Sequence, residues 1–442
     1  METGREGDRQ GRLPDAAGMR RTWRVLARRV LVTAVAAALP LAGLTAGGAA
    51  SASTGRAWAS RGQATAPGHR PVIAAYYYHS SGMPVPAIPA NRLTDVIYAF
   101  ANINSAGECY MPDASTAAKD FAALGALKRS HPWLRTEISI GGWGAGGFSD
   151  AALTRQSRAT FVDSCMKLFF GTYRGDFDGI DLDWEFPVYG GPPNLTSRPA
   201  DRRDFTLLAR AFRRALNAEG GRMHEHLLLT AALPVGRLQS AGPYDPARSY
   251  QLARVGHILD WVNLMTYDLE DGYSTISDFD SPMRPVPADP TPEIIKRWNT
   301  VSTAVDYYEL HGVPADRIVL GEPYFSLAMH VASTANYGLY QSVTGFTGAP
   351  SWTQIETSLL KDPAWTNHWS RIAQVPWLFD AGTKTFVTYD DPASLHIKSE
   401  FAKMRGLRGV FTWAIDQDDA QHSLADAMSG PFLQAAGLGA GG

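Results

Sequence analysis

Cysteine is scarce in this chain, neither sign of charge prevails, and no long apolar run follows Leu44. Each shortage excludes something. The 41 basic and 43 acidic residues leave a formal net charge of -2, which gives phosphate no strong pull and argues against nucleic acid as a partner. Without a later apolar run, the chain beyond its N-terminal segment has nothing to span a bilayer. Charged residues reach only 19% against 45% apolar, so a sizeable core forms and extended disorder is excluded over most of the length. With two cysteines, Cys109 and Cys165, an exported chain has one possible disulfide. Cys165 also falls at helical spacing with Phe161, Leu168 and Phe169, which suits a buried thiol, and the two readings stay balanced.

The N-terminus reads as an export signal. Arg20, Arg21, Arg24, Arg28 and Arg29 form a basic region, residues 30–44 an apolar one, and Ala50-Ser51-Ala52 a cleavage site. Cleavage is expected after Ala52, with Ala57-Trp58-Ala59 as the second choice. Met19, at the head of the basic block, offers an alternative start. Arg20-Arg21 loosely resembles a twin-arginine signal, and the export route stays open. A signal peptide over 1–52 and a linker over 53–70, rich in Ala, Ser, Thr, Gly and Arg, make the mature protein secreted and extracellular, with no membrane attachment after signal removal.

From Pro71 short apolar runs alternate with helical patterns. Strands are predicted over 72–78, 95–102, 136–141, 177–185, 227–233, 261–267, 318–323 and 409–415. One helix carries Phe205, Leu208, Phe212 and Leu216 and ends near Gly220-Gly221, and another spans 150–170. Eight strands interleaved with helices predict an α/β fold, a (β/α)8 TIM barrel over 71–435. More than 80 residues separate the seventh and eighth strands, too many for a bare loop, so a small α+β insertion subdomain is expected over 324–378. The Gly/Ala-rich end leaves no expected place for a separate binding module.

The most informative stretch is Phe177-Asp178-Gly179-Ile180-Asp181-Leu182-Asp183-Trp184-Glu185-Phe186-Pro187. Its acids alternate with apolar residues as on a strand. Asp181, Asp183 and Glu185 therefore share one face, with about 6.6 Å between successive positions. Crowded carboxylates raise one another's pKa, which keeps a carboxylic acid protonated near neutrality. An exposed charged edge is the bland alternative. The interleaved Ile180, Leu182 and Trp184 imply a packed opposite face, so the acids point into the barrel and toward acid catalysis. Asp178 is out of phase and mainly structural.

Asp178-x-x-Asp181-x-Asp183-x-Glu185 resembles the signature of the family 18 glycoside hydrolases, the chitinase family. Further segments resemble its other strand motifs in order: Tyr76-Tyr77, Tyr98-Ala99-Phe100, Ser139-Ile140-Gly141-Gly142-Trp143, Met265-Thr266-Tyr267-Asp268 and Trp413-Ala414-Ile415-Asp416-Gln417-Asp418-Asp419. The likeness covers roughly 71–425, and the insertion resembles that of the secreted bacterial-type subgroup with deep clefts. The resemblance implies a metal-independent, cofactor-free chitinase that cleaves β-1,4 bonds between N-acetylglucosamine units through an oxazolinium intermediate. It implies Glu185 as proton donor, Asp183 as the acetamide's orienting partner, Asp181 as the residue that holds Asp183, and Tyr267 as hydrogen-bond donor to the acetamide oxygen. Trp413, Met265, Asp268, Tyr76, Trp143 and Phe100 are then substrate-binding positions. Ser139 and Asp178 support the acids, with Tyr76 also expected beside Asp181. The expected partner is chitin or its oligosaccharides, and the expected state a monomer. An endo-β-N-acetylglucosaminidase acting on glycoprotein glycans, or a non-catalytic chitin-binding lectin, are the alternatives. One segment departs from the family pattern. Gly321-Glu322-Pro323-Tyr324-Phe325-Ser326-Leu327 places Phe325 and Leu327 where Tyr and Arg are usual, so two polar contacts to sugar are either missing or supplied from elsewhere.

Three other signals carry less. Gly142-x-Gly144-x-x-Gly147 spells a dinucleotide fingerprint but lacks the acid that should follow on a strand. His224-Glu225-His226 has no third metal ligand at fitting spacing. Asn194-Leu195-Thr196 is a glycosylation sequon.

Overall fold

A computed structural model describes residues 70–239, 242–270 and 274–438. The expected signal peptide and all but the last residue of the expected linker lie outside the described residues. Among the described residues no helix is long and apolar enough to cross a membrane.

Seven strands come first in the barrel: β1 (Val72–Tyr78), β2 (Asp95–Ile103), β3 (Arg135–Gly141), β4 (Gly179–Asp183), β5 (Leu228–Pro234), β6 (Trp261–Met265) and β7 (Ile318–Pro323). The insertion then supplies β8 (Leu327–Val331), β9 (Val343–Gly348), β10 (Trp365–Ser370), β11 (Val375–Asp380) and β12 (Thr385–Thr388). The eighth barrel strand is β13 (Gly409–Trp413). Each barrel strand pairs in parallel with the next, β7 pairs with β13, and β13 returns to β1, which closes the ring. Burial of both faces explains why these strands read as nearly unbroken apolar runs.

The predicted strands 177–185, 261–267 and 409–415 end earlier, at Asp183, Met265 and Trp413. Ladder pairing stops there because the chain leaves the barrel. The residues just beyond, Glu185, Tyr267 and Asp268, therefore sit on the rim rather than on strands. The predicted helix over 150–170 is divided, and its first part is α1 (Phe148–Leu153). Thr154 caps a new helix, α2 (Arg155–Met166), with a capping box to Ser157. The helix expected to stop near Gly220 runs on as α3 (Asp201–Met223), and His224 takes the left-handed position. A side chain at Gly220 would meet the Glu225 carbonyl at 2.4 Å, so this glycine makes room for the returning chain instead of capping the helix.

Strands β8 to β12 form one antiparallel sheet in the order β9-β8-β12-β11-β10, with a short helix at Trp352–Thr357. The sheet continues to Thr388, past the expected boundary at 378, because β12 is the central strand that joins β8 to β11. Phe279, from the chain after β6, packs with Val331, Trp377 and Phe386 of this sheet.

Cys109 and Cys165 are joined in a disulfide with Cα atoms 5.0 Å apart. It ties the chain after β2 to α2, where Cys109 N–H also donates to Ser164 Oγ. The bridge closes a loop with a sequence separation of 56 residues. On loop-closure entropy, its reduction is expected to lower unfolding stability by about 2–4 kcal/mol. Denaturant titration of oxidised and reduced protein checks this, and thiol titration of the unfolded, unreduced chain should find no free thiol.

Candidate active site

Period-two geometry turns Asp181 and Asp183 of β4 into the barrel, while Ile180, Leu182 and Trp184 are buried in the core outside it. Trp184 stacks on Phe148 at 5.3 Å between ring centres. Glu185 follows at the mouth. The backbone beside it is held open by glycines. At Gly141, with φ +120°, a Cβ would stand 2.0 Å from the Asp183 carbonyl oxygen. At Gly142, with φ +89°, it would press into the Phe100 ring at 2.7 Å. The Ser-Ile-Gly-Gly-Trp segment is thus a steric requirement of the pocket floor.

Asp181 is fully buried and receives four donors. Tyr76 and Ser139 hydroxyls donate to Oδ2 at 2.9 and 2.7 Å. Thr230 and Asn263 approach Oδ1 at 2.7 and 3.3 Å. Burial pushes its pKa up and these hydrogen bonds pull it down. Asp183 is in the opposite condition. Its side-chain Oδ1 is buried with no partner among the described residues, and the expected contact with Asp181 is not formed. Burial, then the charges of Glu185 and Asp181, hold its pKa well above the usual carboxylate range. Glu185 is pushed up to about 8, first by burial and then by Asp268.

The pocket above these acids encloses about 290 Å³. Asp183, Glu185, Tyr267 and Asp268 form its polar lining, and Tyr76, Phe100, Trp143, Met265 and Trp413 its apolar one. Phe100 stacks on Trp413 at 5.4 Å, which lays a flat aromatic surface at the base. Trp143 is 49% exposed at the rim, near Phe186. The Tyr267 phenol is held well above its ordinary pKa by burial and by Asp183, so it stays a neutral donor. Asp268 has φ +52°, and its N–H donates to Asp280. Phe325 meets Tyr267 edge-on at 5.5 Å, so the departure from the family pattern serves to pack that tyrosine. A larger hollow of about 510 Å³, with Arg237, Tyr244 and Glu270 in its wall, contains none of the three acids.

Of the expected site residues, only Asp178 stands apart. It accepts from Lys128 at 2.8 Å and from the Thr136 N–H at 2.7 Å, and so ties the start of β3 to β4 without touching the other acids. His226 is engaged with Asp260. Sequence reasoning missed Thr230, Asn263, Glu137 and Tyr78. The first three left a faint sign, a polar residue in the inward phase of an apolar strand. Tyr78 lines the pocket from the end of β1.

A parallel barrel whose fourth strand, and the turn that follows it, set a buried aspartate and a glutamate of raised pKa into an aromatic-lined pocket has a site of the barrel glycosidase class. The chain belongs to glycosyl hydrolase family 18: the sequence profile "Glycosyl hydrolases family 18" matches residues 72–418. It is 33% identical to Chitinase A1 of Niallia circulans over 305 residues, 67% of this chain and 42% of that protein. It is 29% identical to the endochitinase of Manduca sexta over 360 residues, 76% of this chain and 60% of that one. It therefore spans less than two thirds of either relative. A solved family 18 N-acetylglucosaminidase from Paenibacillus barengoltzii superposes with a TM-score of 0.71 at 30% identity, covering 82% of this chain and 100% of the other.

Because Asp268 is the second cause of the Glu185 shift, Asp268→Asn is expected to move the Glu185 midpoint below about 8. It should remain above 4.5, since burial, the larger cause, persists. Asparagine tolerates the left-handed backbone there. Carboxyl-detected NMR titration measures the shift, and an unmoved midpoint would deny the Asp268 charge any influence.

Proposed function

We propose that this chain is a secreted chitinase that hydrolyses β-1,4 linkages between N-acetylglucosamine units with retention of configuration. The observation that carries the reading is the pairing of Glu185, its pKa pushed up to about 8, with Asp183, whose buried Oδ1 has no partner among the described residues, inside an aromatic-lined pocket. The names of the relatives support the substrate class.

Glu185 donates its proton to the glycosidic oxygen, and the bond from that oxygen to the anomeric carbon breaks. The acetamido oxygen of the same sugar forms the replacing bond, giving an oxazolinium ion. Asp183 accepts from the acetamide N–H and offsets the positive charge. Tyr267 donates to the acetamido oxygen and aligns it. Trp413 and Phe100 cover the apolar face of the ring. Glu185, now a carboxylate, takes a proton from water as the water oxygen attacks the anomeric carbon. The oxazolinium opens and Glu185 regains its proton. No step uses a metal or cofactor.

The endo-β-N-acetylglucosaminidase alternative uses the same acids, so products decide it. A defined N-acetylglucosamine hexamer should be cut into shorter oligomers, and a high-mannose glycopeptide should be spared. Cleavage of the glycopeptide alone would transfer the assignment. Presence of Glu185 weighs against the lectin alternative. Glu185→Gln is expected to lower kcat by about 10²–10⁴ while hexamer binding stays within about threefold. Near-normal turnover in that variant would remove Glu185 from the proton-donor role.

A further inference from the structure

Below Asp181 lies a second inward carboxyl, Glu137 on β3, two residues before Ser139 and 0% exposed. Thr230 Oγ1 stands 2.8 Å from Glu137 Oε2 and 2.7 Å from Asp181 Oδ1. A threonine hydroxyl has one hydrogen, and an ionised carboxylate can only accept. Thr230 can donate to one of these carboxyls and must accept from the other. One of the two acids therefore carries a proton that lies on the line to Thr230.

The surroundings decide which. Asp181 has donors on both oxygens, an arrangement suited to an anion. Glu137 has Thr230 alone, and its Oε1 is buried with no partner among the described residues. The charged groups acting on Glu137 are Asp95 from β2 and Asp181 from β4, both opposing ionisation, and Arg135 on its own strand, which favours it. Arg135 is committed to Asp95 at 2.9 Å. The barrel interior contributed by β1, β5, β7 and β13 adds Val72, Leu228, Val319 and Phe411, none charged. An unpaired buried carboxylate with one donor is far costlier than one with four.

We propose that Glu137 is a neutral acid that donates to Thr230, that Thr230 in turn donates to Asp181, and that this chain makes Glu137 a positioning residue which holds Asp181 as the charged partner beneath Asp183. The direction of the relay is Glu137 O–H to Thr230 Oγ1, then Thr230 O–H to Asp181 Oδ1. Ionised Asp181 opposes a second charge on Asp183, so Asp183 keeps its proton in the free site and gives it to solvent water as substrate binds and a cation develops beside it. The protonation assignment stands on geometry. Its catalytic consequence rests on the chitinase reading above.

Infrared difference spectroscopy of the intact protein at neutral pH tests the assignment without any turnover. Wild type minus Glu137→Gln should show one carboxylic-acid C=O band, sensitive to H2O/D2O exchange. A difference confined to the carboxylate bands would mean Glu137 is ionised and would overturn the proposal. Thr230→Val, which removes one donor from charged Asp181, is expected to raise the midpoint of the acid limb of the kcat–pH profile and to lower kcat about tenfold with KM within about twofold. Thr230→Ser should restore both. An acid limb unmoved in folded Thr230→Val, as judged by its melting temperature, would overturn the positioning role. Absence of chitin turnover in wild type would sink the chitinase reading while leaving the infrared result standing.

Discussion

Negative charge concentrated inside a closed barrel is the constraint on which this structure turns. Asp181, Asp183 and Glu185 follow one another at strand spacing, and among the described residues no basic side chain bonds to them. Three ionised carboxylates so placed and so buried would repel strongly, and the protein resolves the conflict by treating each differently. Asp181 is given four donors, which favour its charged form. Asp183 and Glu185 are given burial and like-charged neighbours, which push their pKa values up. The strand and the residues just after it thus set Asp181, Asp183 and Glu185 in order from the barrel's interior to its mouth.

The rest of the fold serves that ordering. Parallel closure brings Tyr76, Ser139, Thr230 and Asn263 from four different strands onto the two oxygens of Asp181. Glycines at 141 and 142 let β3 pass against the Asp183 carbonyl and the Phe100 ring. Early ends of the barrel strands free Glu185, Tyr267 and Asp268 to line the pocket from the rim. Phe325, by packing edge-on against Tyr267, lends rigidity where the family pattern would have placed a polar contact to sugar.

Much of this was legible in the chain. The period-two spacing of Asp181, Asp183 and Glu185 placed them on one face, and the alternation of strands and helices gave the barrel. The resemblance supplied the pocket's aromatic and polar lining, Trp413 and Tyr267 among them. Other features were hidden for physical reasons. Thr230 and Asn263 are single polar residues in apolar strands, and their partner appears only when the ring closes. Glu137 looks like any charged residue until its burial is known. Strand ends were overrun because apolar residues continue past the point where pairing stops, as at Trp184 and Phe186. The insertion extended beyond 378 because β12, although last in the insertion, is a central strand of its sheet.

Proton custody at Glu185 is the central claim, and the pH dependence of kcat/KM on a defined N-acetylglucosamine hexamer, which reports the free protein's groups, tests it most directly. The ratio should stay high through neutrality and fall along an alkaline limb centred near 8, where Glu185 loses its proton. An alkaline limb centred near the ordinary glutamate value of 4.5, or a rate that does not fall with rising pH through 8 and beyond, would contradict it.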